Sequence, residues 1–172
     1  KKGNVGIINA LGTGVADDKA VYSYVNKMIV YYLGEQPKLN QVETFLCENK
    51  VHRQHVIENI AKLVVKPANA SGGYGIMIGP KAPKKEREEM VKKIKKNPRE
   101  FVAQPLEILS TIPTICENGI EPRHLDLRPF ILTGKTSYVT TGGLTRVALR
   151  KGSTIVNSSR GGGSKDTMVV DA

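Results

Sequence analysis

Apolar positions recur at helical spacing in three segments of the chain, and elsewhere they form short runs separated by turns. The first predicted helix is capped by Asp17 or Asp18 and ends at Gly34. The second covers about residues 51–61, with Val51, Val56, Ile57 and Ile60 facing inward, and the third, densely charged, covers 84–96. Short apolar runs predict strands at 5–8, 42–46, 63–67, 76–78 and 101–104.

Beyond Leu106 the pattern predicts strands and loops without helices. The strands at 63–67 and 76–78 enclose a turn with glycines at 72–75, and a helix and another strand follow, so this β-turn-β-α-β unit indicates an α+β fold. The length of 172 residues fits one domain or two small lobes that share a cleft. The strand signals of the second half lie at 124–132, 137–140, 145–149, 155–157 and 167–170.

The composition is that of a soluble globular protein, with 40% hydrophobic and 24% charged residues among 172. No apolar run approaches the roughly 20 residues that a membrane span requires, and no signal-peptide pattern opens the chain. The chain begins Lys1-Lys2-Gly3 without an initiator Met, which indicates a fragment. Cys47 and Cys116 lie far from other metal ligands, so we expect two reduced thiols in a cytoplasmic protein.

The net charge of +10 raises the alternative of a basic module that binds nucleic acid. Residues 81–99 carry nine Lys or Arg against three Glu, so more than half of the excess charge lies in this segment, which contains the helix predicted at 84–96. Met90, Val91 and Ile94 give that helix a single apolar stripe, as in an exposed helix that packs on one side. The remaining charge is dispersed and aromatic residues are few, which argues against a nucleic-acid partner.

Lys66 ends an apolar strand and precedes a glycine-rich turn, Ser71-Gly72-Gly73-Tyr74-Gly75. Glycines permit positive φ angles and let backbone N–H groups approach phosphate oxygens closely. A lysine in so apolar a strand needs an anionic partner, and no acidic residue follows within ten positions. A bound phosphate would supply that charge, although an ordinary hairpin with a surface lysine would fit the same pattern.

Two polar stretches lie in the second half. Strand alternation places His124, Asp126 and Arg128 on one face, where they would form a polar site wall or a solvated edge with an Asp–Arg pair. The segment 157–167 contains three glycines between hydroxyl and cationic residues, which favours a mobile anion-binding loop. It lacks the Gly-Lys-Ser/Thr ending of a P-loop, and Gly12-Thr13-Gly14 is only half of a dinucleotide fingerprint.

Together these stretches resemble the ATP-grasp superfamily, in its circularly permuted type 2 branch, which is similar to glutathionylspermidine synthase. The resemblance covers nearly the whole chain and the motifs follow the family's order. It implies an ATP-grasp fold of two α+β lobes with antiparallel sheets enclosing a nucleotide cleft. The implied divisions are 1–18 as the end of a preceding α/β region, 19–105 as the small lobe with its glycine-rich lid, and 106–172 as an incomplete larger lobe. The motifs are GTGVADDKA from Gly12, VVKP from Val64, SGGYG from Ser71, VAQP from Val102, EPRHLDLRPF from Glu121, GGLTRVALR from Gly142 and VNSSRGGGSKDT from Val156.

The resemblance also implies roles for residues in this chain. Lys19 and Lys66 would contact ATP, and the turn Ser71, Gly72, Gly73, Tyr74 and Gly75 would form the lid over its phosphates. Gln104, Pro105 and Leu106 match the hinge whose backbone contacts adenine. Arg128 and Arg146 would stabilise the transferred phosphate, with His124, Asp126 and Asn157 also at the nucleotide site.

The implied cofactors are ATP and Mg²⁺, yet the Glu-x-Asn metal motif of the superfamily is absent from the second half. Glu117 and Asn118 are adjacent and lie in a predicted turn. Asp126 and Asn157 are the metal candidates within this chain, and the resemblance implies that the acidic ligands lie upstream of it.

The resemblance implies an ATP-dependent ligase that joins a small-molecule or peptide carboxylate to an amine through an acyl phosphate. That chemistry needs cations and N–H donors but no protein nucleophile. The alternatives are an ATP-grasp phosphotransferase, a non-catalytic ATP sensor and the basic nucleic-acid module. The chain alone would be inactive, and its sequence leaves the substrates and the oligomeric state open.

Overall fold

The computed structural model describes residues 2–9, 11–157 and 161–170. The chain divides into two compact units, Lys1–Leu106 and Glu107–Ala172. Each contains an antiparallel four-stranded sheet, and the helices lie in the first unit. The predicted α+β class is therefore confirmed, while the three lobe divisions stay predictions. Among the described residues, no helix has both the length and the apolar character to cross a membrane.

The sheet of the first unit is antiparallel throughout and consists of β1 (Phe45–Leu46), β2 (Leu63–Pro67), β3 (Met77–Ile78) and β4 (Phe101–Pro105). The strand order is β1-β4-β2-β3. Two long helices accompany it, α3 (Lys50–Asn59) and α4 (Lys84–Lys96). The bounds of β2 and α4 match the sequence prediction, because a continuous apolar run and a clear amphipathic stripe are strong local signals.

The two faces of this sheet differ because side chains alternate along each strand. Val65 and Ala103, which pair across β2 and β4, join the apolar core with Val56 of α3 and with Met90 and Ile94 of α4. The alternate positions point the other way and form a second face, which we call the lysine face. It carries Val64 and Lys66 of β2, and Val102 and Gln104 of β4.

The first predicted helix is wrong as a continuous element. It consists of α1 (Lys19–Tyr22), α2 (Val25–Met28) and a π-helical turn (Ile29–Leu33). The break follows Tyr22, whose carbonyl accepts a hydrogen bond from the Gln41 side chain. Ser23 Oγ also donates to the Ala20 carbonyl, 2.8 Å away, and such bonds from serine to the preceding turn bend helices.

Three further predictions in the first unit are wrong. Residues 5–8 form no strand, and the exposed side chains of Val5 and Ile8 lack the burial that would stabilise one. The strand predicted at 42–46 is confined to β1, because the Val42 N–H donates to the Tyr22 hydroxyl. Val51, predicted to face inward from α3, is exposed because it lies in the first turn of that helix.

The second unit is an antiparallel meander of strands in chain order. These are β5 (Thr111–Cys116), β6 (Gly119–Thr133), β7 (Ser137–Ala148) and β8 (Gly162–Met168). The prediction missed β5, in which Pro113 interrupts the apolar pattern, and it divided β7 in two. No strand forms at 155–157, while Glu117 and Asn118 do form the predicted turn.

The sheet of the second unit is curled. Lys165 lies on β8 and Pro113 on β5, and these two strands are at opposite ends of the strand order. The Lys165 ammonium nevertheless donates to the Pro113 carbonyl at 2.5 Å. Three strand spacings in a flat sheet amount to about 14 Å, which exceeds the length of a lysine side chain. The curl therefore brings the outer strands together.

Candidate functional site

Lys66 lies on the lysine face, beside a side chain that sequence reasoning did not pair with it. Its ammonium donates a 2.6 Å hydrogen bond to Gln104 Oε1. Gln104 Nε2 in turn donates to Thr44 Oγ1 at 2.8 Å. Because Lys66 pairs with Val102 in the β2–β4 register, Gln104 lies two positions along the same face. A chain of hydrogen bonds thus runs from the lysine to the start of β1.

The environment of Lys66 disfavours its charge. Burial lowers the pKa of Lys66 below its ordinary value, and the nearby Lys19 ammonium lowers it further. Within the described residues, no carboxylate forms an ion pair with it. The Gln104 amide is a neutral partner, so it leaves the positive charge of Lys66 uncompensated.

Lys19 approaches the segment that leads into the glycine turn. Its backbone N–H donates to the Ala68 carbonyl at 2.9 Å, and its ammonium donates to the Ala70 carbonyl at 2.5 Å. Asp18, immediately before it, caps α1 through the Ala20 N–H and pairs with Arg99 at 2.6 Å. These contacts anchor the start of α1 beside residues 68–70, so Lys19 and Lys66 lie near one another.

The turn at 71–75 has the backbone geometry that its glycines predict. Gly72, Gly73 and Gly75 have φ angles of 67°, 77° and 71°, in the left-handed region that favours glycine. Their N–H groups have no acceptor within the described part of the chain. A turn with unused N–H donors beside two lysines can bind an anion.

Gln104, Pro105 and Leu106 lie at the end of β4, where the first unit ends. Pro105 pairs with Leu63 at the start of β2, and Leu106 is exposed. The family resemblance implies that the backbone of Gln104 contacts adenine. The structure shows in addition that the Gln104 side chain accepts a hydrogen bond from Lys66, a contact that depends on the register of β2 against β4.

In the second unit, Asp126 and Arg146 form a two-point ion pair. They lie directly opposite one another on β6 and β7, and Arg146 Nε donates to Asp126 Oδ1 at 2.8 Å. A second bond joins Arg146 Nη2 to Oδ2. The hydrogen bond to Asp126 raises the pKa of Arg146 above its ordinary value. The Asp–Arg pair considered from sequence involved Arg128, but the structure shows that Asp126 pairs with Arg146.

The remaining candidate residues of this unit have different surroundings. His124 Nδ1 lies 2.8 Å from the Leu109 carbonyl, so that nitrogen carries the proton and donates it. Arg128 is exposed and has no ion pair with any described carboxylate. The Asn157 carbonyl accepts the Gly162 N–H at 3.0 Å. Of the predicted anion-binding loop, Ser158, Ser159 and Arg160 lie outside the described residues.

The predicted metal ligands do not assemble a magnesium site. Both carboxylate oxygens of Asp126 are engaged by Arg146. Across residues 2–9, 11–157 and 161–170, no group of three His, Cys, Asp or Glu side chains is placed to hold a metal ion. The residues that the structure describes therefore do not fit Mg²⁺ by themselves.

A cavity of about 550 Å³ lies beside the lysine face, and sequence reasoning missed it. It lies between the helical segment at 23–27 and the residues from β1 into the start of α3. Lys27, Glu48 and His52 are among its lining residues, and so is Thr44, which bonds Gln104. No sequence signal marks the cavity, because its walls are more than 15 residues apart in the chain.

The structure places two lysines beside a glycine-rich turn on an antiparallel sheet. This arrangement agrees with the fold that the sequence resemblance implies. The chain belongs to the circularly permuted ATP-grasp type 2 family, whose model matches residues 1–148. The superfamily fold and the resemblance predicted from sequence are thereby confirmed. Members of this superfamily use ATP with a divalent metal.

Close relatives are longer than this chain. An uncharacterized protein of Synechocystis is 54% identical over 171 residues, which is 99% of this chain and 36% of that protein. An uncharacterized protein of Mycobacterium tuberculosis is 51% identical over 171 residues, 99% of this chain and 31% of the relative. The chain thus spans about a third of the length of these curated relatives.

Two of the relatives, both from Frankia, have names that state an activity. A Frankia casuarinae protein named "Putative glutamate--cysteine ligase 2-2" is 49% identical over 165 residues. That match covers 96% of this chain and 19% of the relative. This chain therefore matches only about one fifth of the protein that has this name.

Proposed function

We propose that this chain is the nucleotide-binding portion of an ATP-dependent ligase that joins a carboxylate to an amine. The observation that carries the proposal is the uncompensated charge of Lys66. It lies half-buried near Lys19, with no described carboxylate to neutralise it. Two ammonium groups next to unused N–H donors form a site for a polyanion such as the phosphates of ATP.

The residues present suit this reaction. A carboxylate oxygen of the substrate attacks the γ-phosphorus of ATP, and the bond from that phosphorus to the bridging oxygen breaks to release ADP. An amine then attacks the acyl carbon, and inorganic phosphate leaves as a proton is lost from nitrogen. Neither step forms a bond to the protein, so the chain's task is to position the phosphates and balance their charge.

In this proposal Lys19 and Lys66 bind the phosphates, and the turn Ser71, Gly72, Gly73, Tyr74 and Gly75 covers them. The backbone at Gln104, Pro105 and Leu106 contacts adenine. Arg128 supplies positive charge to the transferred phosphoryl group, and Arg146, paired with Asp126, fixes the strand face from which Arg128 projects. His124 and Asn157 complete the polar wall.

The chemical class of the substrates rests on the family and on the names of two relatives. Glutamate and cysteine, the substrates in the name of the Frankia relative, are a carboxylate and an amine. Because this chain matches one fifth of that protein, the proposal extends only to that class of acid and amine. We also propose that the complete protein acts in the cytoplasm on small-molecule or peptide substrates with Mg²⁺, whose acidic ligands lie in other parts of the protein.

Calorimetric titration of the intact protein with a non-hydrolysable ATP analogue and Mg²⁺ tests this function. Lys66→Ala removes a charged hydrogen-bonding group and should weaken binding roughly 10- to 100-fold. Lys62→Ala is the matched control, because Lys62 is exposed and close to the start of β2. Unchanged affinity in Lys66→Ala, with the folded state intact by circular dichroism, would refute the phosphate role.

Product analysis distinguishes the ligase from a phosphotransferase. The ligase yields an amide, ADP and inorganic phosphate when both acid and amine are supplied. A phosphotransferase yields a stable phosphorylated acceptor, and its product forms without an amine. Accumulation of that acceptor in place of an amide would contradict the ligase proposal.

A further inference from the structure

We propose that the cavity beside β1 binds a small zwitterionic molecule of the amino-acid class. The cavity lies wholly within the first unit and is lined by residues from two segments. Its volume of about 550 Å³ falls within the range of small-molecule sites. Its charged and polar side chains comprise groups of both signs, which sets it apart from the cationic environment of Lys66.

Lys27 and His52 supply donors for a carboxylate. The Lys27 ammonium forms no ion pair with a described carboxylate, and its Nζ lies 5.9 Å from the centre of the Tyr24 ring. His52 Nδ1 accepts a 3.1 Å hydrogen bond from the Leu46 N–H. In the neutral imidazole the proton therefore lies on Nε2, which can donate to a ligand.

Glu48 supplies the opposite charge. Its nearest cation is Arg99, whose Nε lies 3.6 Å away, while Arg99 Nη2 makes the shorter 2.6 Å contact with Asp18. The Glu48 side chain is 66% exposed, so it can accept an ammonium group without breaking a buried pair. A cation and an anion in the same cavity match the two ends of an amino acid.

The walls of the cavity are held in place without a ligand. The Tyr22 hydroxyl accepts the Val42 N–H at 3.0 Å, which ties α1 to the segment before β1. Asn49 Oδ1 caps α3 by accepting the Val51 and His52 N–H groups at 2.9 Å and 3.1 Å.

The cavity is connected to the proposed nucleotide site. Thr44 lines it and accepts the hydrogen bond from Gln104, whose Oε1 accepts the Lys66 ammonium. A ligand that contacts Thr44 would thus lie two hydrogen bonds from Lys66. If the proposed ligase function holds, this ligand is the amine substrate or its close analogue. Binding of the zwitterion itself does not depend on that function.

The test is saturation-transfer NMR of the intact protein with an equimolar mixture of the twenty protein amino acids and no nucleotide. We expect at least one amino acid to show saturation. Its N-acetyl and amide derivatives, which each lack one charge, should bind at least about tenfold more weakly. Absence of saturation for all twenty would overturn the proposal.

Charge-deleting variants locate the binding. Lys27→Gln and Glu48→Gln should each abolish the signal, whereas Lys92→Gln and Glu89→Gln, on the exposed face of α4, should leave it unchanged. Urea denaturation confirms that all four variants fold. Saturation that persists in both cavity variants would refute this site, and loss in the α4 controls would do the same. The Lys66→Ala titration with the ATP analogue is independent, so either proposal can fail alone.

Discussion

The Lys66 ammonium and the Gln104 side-chain oxygen lie 2.6 Å apart on neighbouring strands of the first sheet. A half-buried lysine would ordinarily be expected beside a carboxylate, which would neutralise it. The amide orients the ammonium without neutralising it, so the full positive charge is kept for a ligand. The identity of residue 104 should therefore control both stability and nucleotide affinity.

Gln104→Glu should raise the stability of the fold and lower the affinity for nucleotide. The new carboxylate would pair with Lys66 and raise the free energy of unfolding by up to about 1 kcal/mol. It would also neutralise the charge offered to phosphate, and we expect the affinity for the ATP analogue to fall about tenfold or more. Urea denaturation and calorimetric titration measure the two effects.

Gln36→Glu is the control for the added negative charge, because Gln36 is exposed and lies outside the sheet. It should change neither property measurably. A Gln104→Glu variant that binds the analogue as tightly as the unmodified protein would show that the Lys66 charge does not contact phosphate.

Nucleotide binding should be accompanied by proton uptake at alkaline pH. Burial, with a contribution from Lys19, lowers the pKa of Lys66 from its ordinary 10.5, so the free protein loses this proton early as the pH rises. A bound phosphate favours the charged form and raises the pKa again. Protons are therefore taken up on binding, and affinity should decline as the pH approaches 10.5.

Titrations in two buffers with different ionisation enthalpies measure this uptake. The phosphates of ATP are already ionised in that range, since their last pKa is about 6 to 7 by analogy with phosphate esters. Lys66→Arg is the control, because a guanidinium stays protonated there and should bind without uptake. Equal uptake in Lys66→Arg and the unmodified protein would assign the proton to another group.

The elements that sequence predicted well are those whose signals are local. The helix α4 was predicted at its observed bounds, because Met90 and Ile94 mark a clear buried stripe among charged residues. The turn at 71–75 was predicted because its glycines alone indicate the positive φ angles. By contrast, the helix predicted from Asp17 to Leu33 is broken by a contact from Gln41, which no local pattern shows.

The pairings at the candidate site could not be derived from sequence. Lys66 was identified from its apolar strand, yet Gln104 lies 38 positions away and meets it only through the antiparallel register. The same is true of Asp126 and Arg146, which are 20 positions apart. Strand register depends on the packing of whole faces of the sheet. A local sequence pattern can therefore identify a candidate residue such as Lys66, but it does not identify the residue on the neighbouring strand that contacts it.

Alanine at the glycine turn should reduce nucleotide affinity through backbone strain. Gly72 and Gly75 have φ angles of 67° and 71°, which cost an L-residue about 1–2 kcal/mol. At Gly75 an added Cβ would also lie 2.8 Å from Pro67 Cγ, so this variant should be the less stable of the two. We expect both variants to bind the ATP analogue several-fold more weakly.

Gly152→Ala controls for strain alone. Gly152 has a φ of 70° and no atom within 4 Å of an added Cβ, and it lies in the second unit. Its stability should fall by a similar amount, while its nucleotide affinity should not change. Equal loss of affinity in all three variants would indicate global destabilisation rather than a role for the turn.

Alanine substitutions of Arg128 and Arg146 should have different effects on the free energy of unfolding and on turnover. Arg128 is exposed and unpaired with any described carboxylate, so Arg128→Ala should change the free energy of unfolding by less than about 0.5 kcal/mol. Loss of a donor to the transferred phosphoryl group should nevertheless lower turnover of the intact enzyme roughly 100-fold. Arg146→Ala leaves the Asp126 carboxylate without its partner and should reduce both properties, stability by about 1–3 kcal/mol.

A double-mutant cycle with Asp126→Asn isolates the stability effect of the pair. If Arg146 acts by holding Asp126, the stability loss in Arg146→Ala should shrink when Asp126 is already neutral. Arg150→Ala, at an exposed position just after β7, is the control and should alter neither property. Wild-type turnover in Arg128→Ala would remove the phosphoryl-stabilising role from that residue. Turnover lost only in Arg146→Ala would transfer the role to the arginine paired with Asp126.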